Sequence, residues 1–316
     1  MLFIVGLQKM TRQEKIALLA QIMAINAANV INEGLQKTAQ KAKNILLKGV
    51  GEILKKTGAK EQATKIETFD MNTNWNPEII KSAFDKAMKK LQDFEEPELN
   101  FAIRWHLLKL CNLEPPVQDE KIIERIISKA GKPFNINPKN YIDLAAAEAK
   151  IFQKAVEEQI ELLQKTLANM GAEEQEQFEE ILNEELKKLS EADLEAIKRV
   201  TGLEKLSARA LSNFLRTTSS VVLAQIIIGG WGFGAYLFLT AFLKAVSLFF
   251  GITFAFSTYT AASSMLAFLL SGPFVLLVSA LTGGVLYFQT TRKLDQQLAK
   301  MLIMAGKGNL IKLGHQ

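Results

Sequence analysis

Three groups of residues have side chains of the kinds that catalysis and ligand binding use. His106 and Cys111 stand five positions apart, and they are one of two histidines and the only cysteine of the chain. A thiolate nucleophile with an imidazole base needs both side chains on one helix face, at a spacing of three or four. Five sets them obliquely, so His106 reads as a partly buried neighbour of Trp105 and Leu107. The second group is acidic: Glu173, Glu174, Glu176, Glu179, Glu180, Glu184 and Glu185. Carboxylates on facing helices can hold a pair of metal ions, but such sites also use Glu-x-x-His pairs. The chain has none, since its other histidine is His315. The acidic stretch therefore reads as a solvated face. The third group is Gly229-Gly230-Trp231-Gly232-Phe233-Gly234. Glycines cradle phosphate where a loop follows a strand, with a Lys-Ser/Thr pair opening the next helix in the triphosphate-binding version. Here no such pair follows, and the glycines lie inside an apolar run. Removal of side chains instead lets another backbone come close.

No Walker sequence, zinc signature or nucleophile elbow occurs. A single cysteine excludes an intrachain disulfide framework and a cysteine zinc site, and it fits a reducing compartment. The expectation is a protein without catalytic, cofactor or metal residues, and not an enzyme. The basic front of the chain lacks interleaved aromatics, so no nucleic-acid partner is expected.

The elements that must carry these residues are helices. The composition is rich in Ala, Leu, Lys and Glu, with only 7 prolines in 316 residues, so the expected fold class is all-α. Periodic segments run over Glu14–Asn32, Gly34–Lys56, Glu78–Gln92 behind Pro77, and Pro97–Leu113. The next, Asp119–Ala130, should end at a left-handed Gly131. Beyond the Pro/Asn-rich stretch Lys132–Asn140 come Tyr141–Met170 and, past Gly171, Ala172–Leu189. The latter carries an apolar stripe of Phe178, Ile181, Leu182, Leu186 and Leu189. Ser190 and Asp193 form a capping box for the following helix, which Gly202 ends. Leu203–Arg216 leads into an apolar block. Met1–Lys9 lacks a basic n-region and a cleavage site, so it does not read as a secretory signal.

Charge divides the chain further. Met1–Glu67 holds 11 Lys/Arg against 5 acids, whereas Ile151–Lys198 holds 5 against 13. The resulting regions are a basic helical front (1–66), a helical region with Pro/Asn-rich loops (67–140) and an acidic long-helix region (141–216). An apolar block (217–291) and a basic tail (292–316) follow. Within Gly34–Lys56, apolar positions line one face while Lys37, Lys41 and Lys48 occupy the other. Such a helix can lie on an anionic membrane surface. The acidic region could pair with the basic front and release it on protonation.

The apolar block has 75 residues and one charge, Lys244. About 20 apolar residues span a bilayer. Ser219–Leu243 and Ala245–Leu270 reach that length, and Pro273–Thr291 is marginal. A lysine at the bilayer centre costs about 2.5–3.5 kcal/mol, so Lys244 should mark a turn near an interface. Gly272-Pro273 should mark another, because proline lacks a donor and restricts its predecessor. Basic residues flank both ends, including Arg209 and Arg216 upstream and Arg292 and Lys293 downstream. Both flanks then prefer the cytoplasm, which favours an even number of crossings, most simply a hairpin. Gly229, Gly230, Gly232, Gly234, Gly251 and Ala255 offer small-residue surfaces for packing against other helices within the membrane.

The stretch Leu163–Thr217 reads LQKTLANMGAEEQEQFEEILNEELKKL, then LSARALSNFLRT ahead of the Gly-rich block. It resembles the C-terminal half of the bacterial YaaW-like family, which also carries a ubiquinol–cytochrome c chaperone description. The resemblance covers about a third of the chain and implies no activity and no site residues. In plan the chain is similar to colicin-like pore formers, which shield an apolar hairpin with amphipathic helices. The expected function is a membrane-active helical protein that inserts its block into the bilayer and can oligomerise into a pore. The alternative is a constitutive inner-membrane scaffold whose cytoplasmic helices bind a partner. Its partners would be the lipid bilayer and either further copies of itself or another membrane protein, at the cytoplasmic membrane with the N-terminal region inside.

Overall fold

A computed structural model describes residues 2–23, 77–228, 233–249 and 291–313. Every regular element among them is helical, so the all-α expectation holds. In chain order they are α1 (Phe3–Gln8), α2 (residues 12–23), α3 (Pro77–Leu91), α4 (Glu96–Cys111) and α5 (Asp119–Gly131). Then come α6 (Leu144–Asn169), α7 (Ala172–Lys187), α8 (Glu191–Thr201) and α9 (Ala208–Thr217). The apolar block supplies α10 (Ser220–Ile228) and α11 (Phe233–Phe249), and α12 (Thr291–Lys312) follows it. Two short 3-10 turns, Lys132–Phe134 and Pro138–Asn140, join α5 to α6.

Polar side chains set where these helices start. Thr11 and Glu14 exchange hydrogen bonds at the head of α2, with the Thr11 amide donating to Glu14 at 2.7 Å. Asp143 accepts from the Ala146 amide at 2.7 Å to open α6. Ser190 and Asp193 close the capping box at the head of α8, as their spacing predicts, and Gly202 ends that helix at φ 68°. Such a cap is worth roughly 1 kcal/mol, because it satisfies amides that have no partner inside the helix. Gly131 departs from expectation. It is right-handed, at φ −75°, and Asn135 takes the left-handed position at φ 56°. The glycine is needed there for space: a Cβ would lie 2.4 Å from the Ile136 carbonyl oxygen.

α6 spans 26 residues, about 39 Å at 1.5 Å per residue, and it is the element that both halves of the fold share. On one side it meets α5 and α12, and α12 in turn packs against α1, α4 and α5. On the other it meets α9 and α10, while α11 lies across α7 and α8. One continuous apolar core runs through both halves, from Phe3 and Leu7 through Ile151, Phe152 and Ile160 to Phe178, Phe242 and Leu302.

Two regions differ from their sequence readings. Residues 292–316 were expected as a basic tail, but α12 is a core helix. Leu298, Ala299, Met301 to Ala305 and Leu310 are buried in it. Its lysines had masked its apolar content. Phe3–Gln8, weighed only as a leader, is a helix that buries Phe3, Ile4, Gly6 and Leu7.

α1 and α12 cross at two glycines. A Cβ on Gly6 would lie 1.9 Å from the Gly306 carbonyl oxygen, and one on Gly306 would lie 2.2 Å from that of Phe3. The Asn309 side-chain amide donates to the Gly6 carbonyl at 2.8 Å and locks the crossing. Only glycine permits backbones to meet at this distance.

Candidate membrane-engaging site

In the described part of the periodic segment Glu14–Asn32, Ile16 to Ala20 and Ile22 are buried. Of the residues singled out on the sequence, Lys37, Lys41, Lys48, Gly229, Gly230, Gly232, Gly251, Ala255, Gly272 and Pro273 lie outside the described residues. Gly234, Lys244, Arg209, Arg216, Arg292 and Lys293 lie within them, the last two in the first turn of α12.

The described part of the apolar block rests on the acidic helices. Phe178, from the apolar stripe of α7, meets Phe242 edge-on at 5.2 Å between ring centroids and Phe249 at 6.0 Å. Phe214 of α9 meets Phe238 at 5.9 Å. Edge-to-face pairs of this kind contribute about 0.5–1.5 kcal/mol beyond the area that they bury. Gly234 is where α11 touches α8: a Cβ there would lie 2.1 Å from the Ala196 carbonyl oxygen. The glycine does admit a close backbone, and that backbone belongs to the acidic region of the same chain.

Lys244 was expected at a membrane turn, and this is corrected. It stands inside α11, whose helix continues to Phe249. Its ammonium lies 2.5 Å from Glu185 of α7. Lys188 binds the other carboxylate oxygen of Glu185, also at 2.5 Å. The Glu185 side chain is only 3% exposed. The rest of the acidic stretch is mostly solvated, as read, and Glu185 was indistinguishable from its neighbours on the sequence. Its position in the Phe178–Leu182–Glu185 stripe turns it inward.

The upstream end of the block is tied to α6. The Gln164 side-chain amide donates to the carbonyls of Leu215 and Thr218, each at 2.7 Å. Arg216 donates to the Leu167 carbonyl at 2.7 Å. Ser220 donates to Glu161 at 3.1 Å. Arg209, by contrast, faces solvent.

The downstream side is tied to the same helix. Lys300 of α12 is buried and pairs with Glu158 at 2.5 Å, with the Phe134 ring 5.2 Å away. Lys129 of α5 pairs with Asp295 of α12 at 2.5 Å. Long-range partners of the acidic region (141–216) among the described residues thus include Lys244, Lys300, Lys307 and Ser220, on the block and beyond it. Nearer the start of α6, Glu148 is 0% exposed, and its nearest cation is Lys307 at 3.8 Å. Neither of its oxygens closes a hydrogen bond. Burial pushes its carboxyl up to about 7, against the opposing pull of Lys307, the Phe3 amide and the amino-terminal charge.

Burial favours the neutral form of both remaining candidates for chemistry. Burial raises the Cys111 thiol to about 11, and its sulfur faces the Ile122 carbonyl at 3.7 Å. Burial, followed by the charge of Lys109, lowers His106, whose ring sits edge-on to Trp105 at 5.0 Å. Among the described residues, no three His, Cys, Asp or Glu side chains are grouped to hold a metal ion. Among the same residues, no helix is long and apolar enough to cross a membrane. Two large apolar side chains stand in solvent one turn apart on α4: Phe101, 70% exposed, and Trp105, 47% exposed. No protein-family model, curated protein or solved structure matches the chain.

Proposed function

We propose that the protein is a membrane-active helical protein that stores part of its apolar block against its own acidic helices and delivers the block to a bilayer, where copies assemble into a pore. One observation carries this reading. The only charge in 75 apolar residues, Lys244, is neutralised by Glu185 at 2.5 Å on a soluble-type helix. A lysine left unpaired at a bilayer centre costs about 2.5–3.5 kcal/mol, whereas a paired lysine in a dock does not bear that cost. The same contact covers the aromatic face of α11. A store of this kind keeps apolar surface from water until a bilayer competes for it. The basic flanks support a position of the helical region on the cytoplasmic side of the cytoplasmic membrane.

The test is leakage of a trapped dye from phosphatidylethanolamine–phosphatidylglycerol vesicles, at neutral and mildly acidic pH. Release at one or both pH values is expected. Intact vesicles at both would end the proposal. A second reading, the constitutive scaffold, draws on Phe101 and Trp105, whose exposed rings are the kind of anchor that interfaces use. Under that reading, replacing both with serine removes a specific co-purifying membrane partner. If wild type and variant co-purify the same proteins, the scaffold reading fails.

A further inference from the structure

The two ends of the apolar block are held side by side on one helix. Ser220, at the start of α10, bonds Glu161, and Lys300, in the third turn of α12, bonds Glu158. Glu158 and Glu161 are three residues apart on α6, about 4.5 Å of helical rise. Gln164 and Arg216 fasten the upstream end by three further bonds, all involving backbone carbonyls. None of these ties uses the apolar surface of α11, so lifting that helix from α7 and α8 need not break them. The Lys300 side chain is almost wholly buried, and its partner Glu158 is 45% exposed on α6.

The geometry points to α6 as a clamp that keeps the upstream and downstream ends of the block together during insertion, so that the chain leaves and re-enters one face of the membrane. This rests on the reading that the block enters a bilayer. It goes beyond that reading by fixing the topology through residues of α6 rather than through flanking charge. A segment whose two ends are pinned within one helical turn must make an even number of crossings, whichever of its stretches insert.

The experiment uses the full chain added from outside to sealed phosphatidylethanolamine–phosphatidylglycerol vesicles. Ser219 and Leu313 are exposed and bracket the clamp, and buried Cys111 offers little competing thiol. Ser219→Cys and Leu313→Cys, made singly, should both remain open to a membrane-impermeant maleimide after the protein becomes resistant to carbonate extraction. Protection of either one until detergent is added would overturn the clamp, because one end would then have crossed. A second pair of variants, Glu161→Cys with Ser220→Cys and Glu158→Cys with Lys300→Cys, is joined by a short bis-maleimide before vesicles are added. Joined protein should insert and leak without loss. Insertion that is lost on joining, in a variant that inserts when unjoined, would show that the ends must separate and would also overturn the clamp. Protein that never resists carbonate, joined or not, would overturn the membrane reading itself and the clamp's role with it.

Discussion

Replacing Glu148 by glutamine should remove a pH dependence of stability whose sign is unusual for a carboxylate. The ordinary value for this group is 4.5, and burial between α1, α6 and α12 raises it to about 7 in the folded chain. The folded state therefore holds this proton more tightly than the unfolded state. Between pH 4.5 and 7 it binds more protons, so its stability falls as pH rises through that window. The contribution is fully present below pH 4.5 and lost above 7. At about 1.4 kcal/mol per pH unit, the span corresponds to roughly 3 kcal/mol. The side chain is wholly buried, so solvent screening takes little from this figure. Glu148→Gln keeps the shape and removes the titration. It also leaves Lys307 without its counter-charge at 3.8 Å, so the absolute stability of the variant is a poor readout. The difference between the two pH profiles is the proper one. Urea unfolding of both full-length proteins in one non-ionic detergent, followed by far-ultraviolet circular dichroism from pH 4.5 to 8, measures it. The variant should gain on the wild type by roughly 3 kcal/mol from the acid end to the alkaline end. Parallel profiles would refute the reasoning. The same sign bears on the expectation that protonation frees the acidic region: at Glu148, acid tightens the seam between α6 and α12.

Two further predictions concern the dock and the crossing. Lys244→Met removes the block's only charge, while Glu185 keeps Lys188 as its partner. It should speed vesicle leakage by up to about 70- to 370-fold, the equivalent of the roughly 2.5–3.5 kcal/mol that a lysine costs in a bilayer; unchanged or slower leakage would count against release from the dock. Gly6→Ala forces a Cβ to within 1.9 Å of the Gly306 carbonyl oxygen. Overpacking of this kind costs about 1–3 kcal/mol or more, so the melting temperature should fall by roughly 2–5 °C or more, and a variant that melts with the wild type would mean that α1 does not cross α12 there.

Local signals were legible in the sequence and long-range ones were not. Ser190, Asp193 and Gly202 announce the ends of α8, because capping depends on residues within one turn. The stripe from Phe178 to Leu186 announces the buried face of α7 by its period alone. Gly131 misled, because glycine serves both left-handed positions and close contacts, and the sequence does not say which. Lys244 misled for another reason. Its cost in lipid can be read from its own apolar surroundings, but its partner lies 59 residues earlier on α7. The pairs between α6 and α12 are more distant still: Lys300 reaches back 142 residues to Glu158. No spacing rule links such positions, so Glu148, Glu158, Glu161 and Gln164 passed as ordinary polar residues of a long helix. The apolar face of α12 was hard to read because Lys300 stands buried within it, against the usual habit of the residue.

The crossing of α1 and α12 also sets an order of events during synthesis. Asn309 bonds Gly6 across 303 residues. A ribosome adding about 5–20 residues per second needs roughly 15–60 s to cover that distance. For all of that interval Phe3 and Leu7 lack the helix that buries them. The apolar block emerges just before α12 does, when Lys300 and Lys307 have not yet been made. The nascent chain thus carries its apolar block before the helix that brings Lys300 to Glu158 exists, so α6 can gather α9 and α10 while its other side still waits for α12.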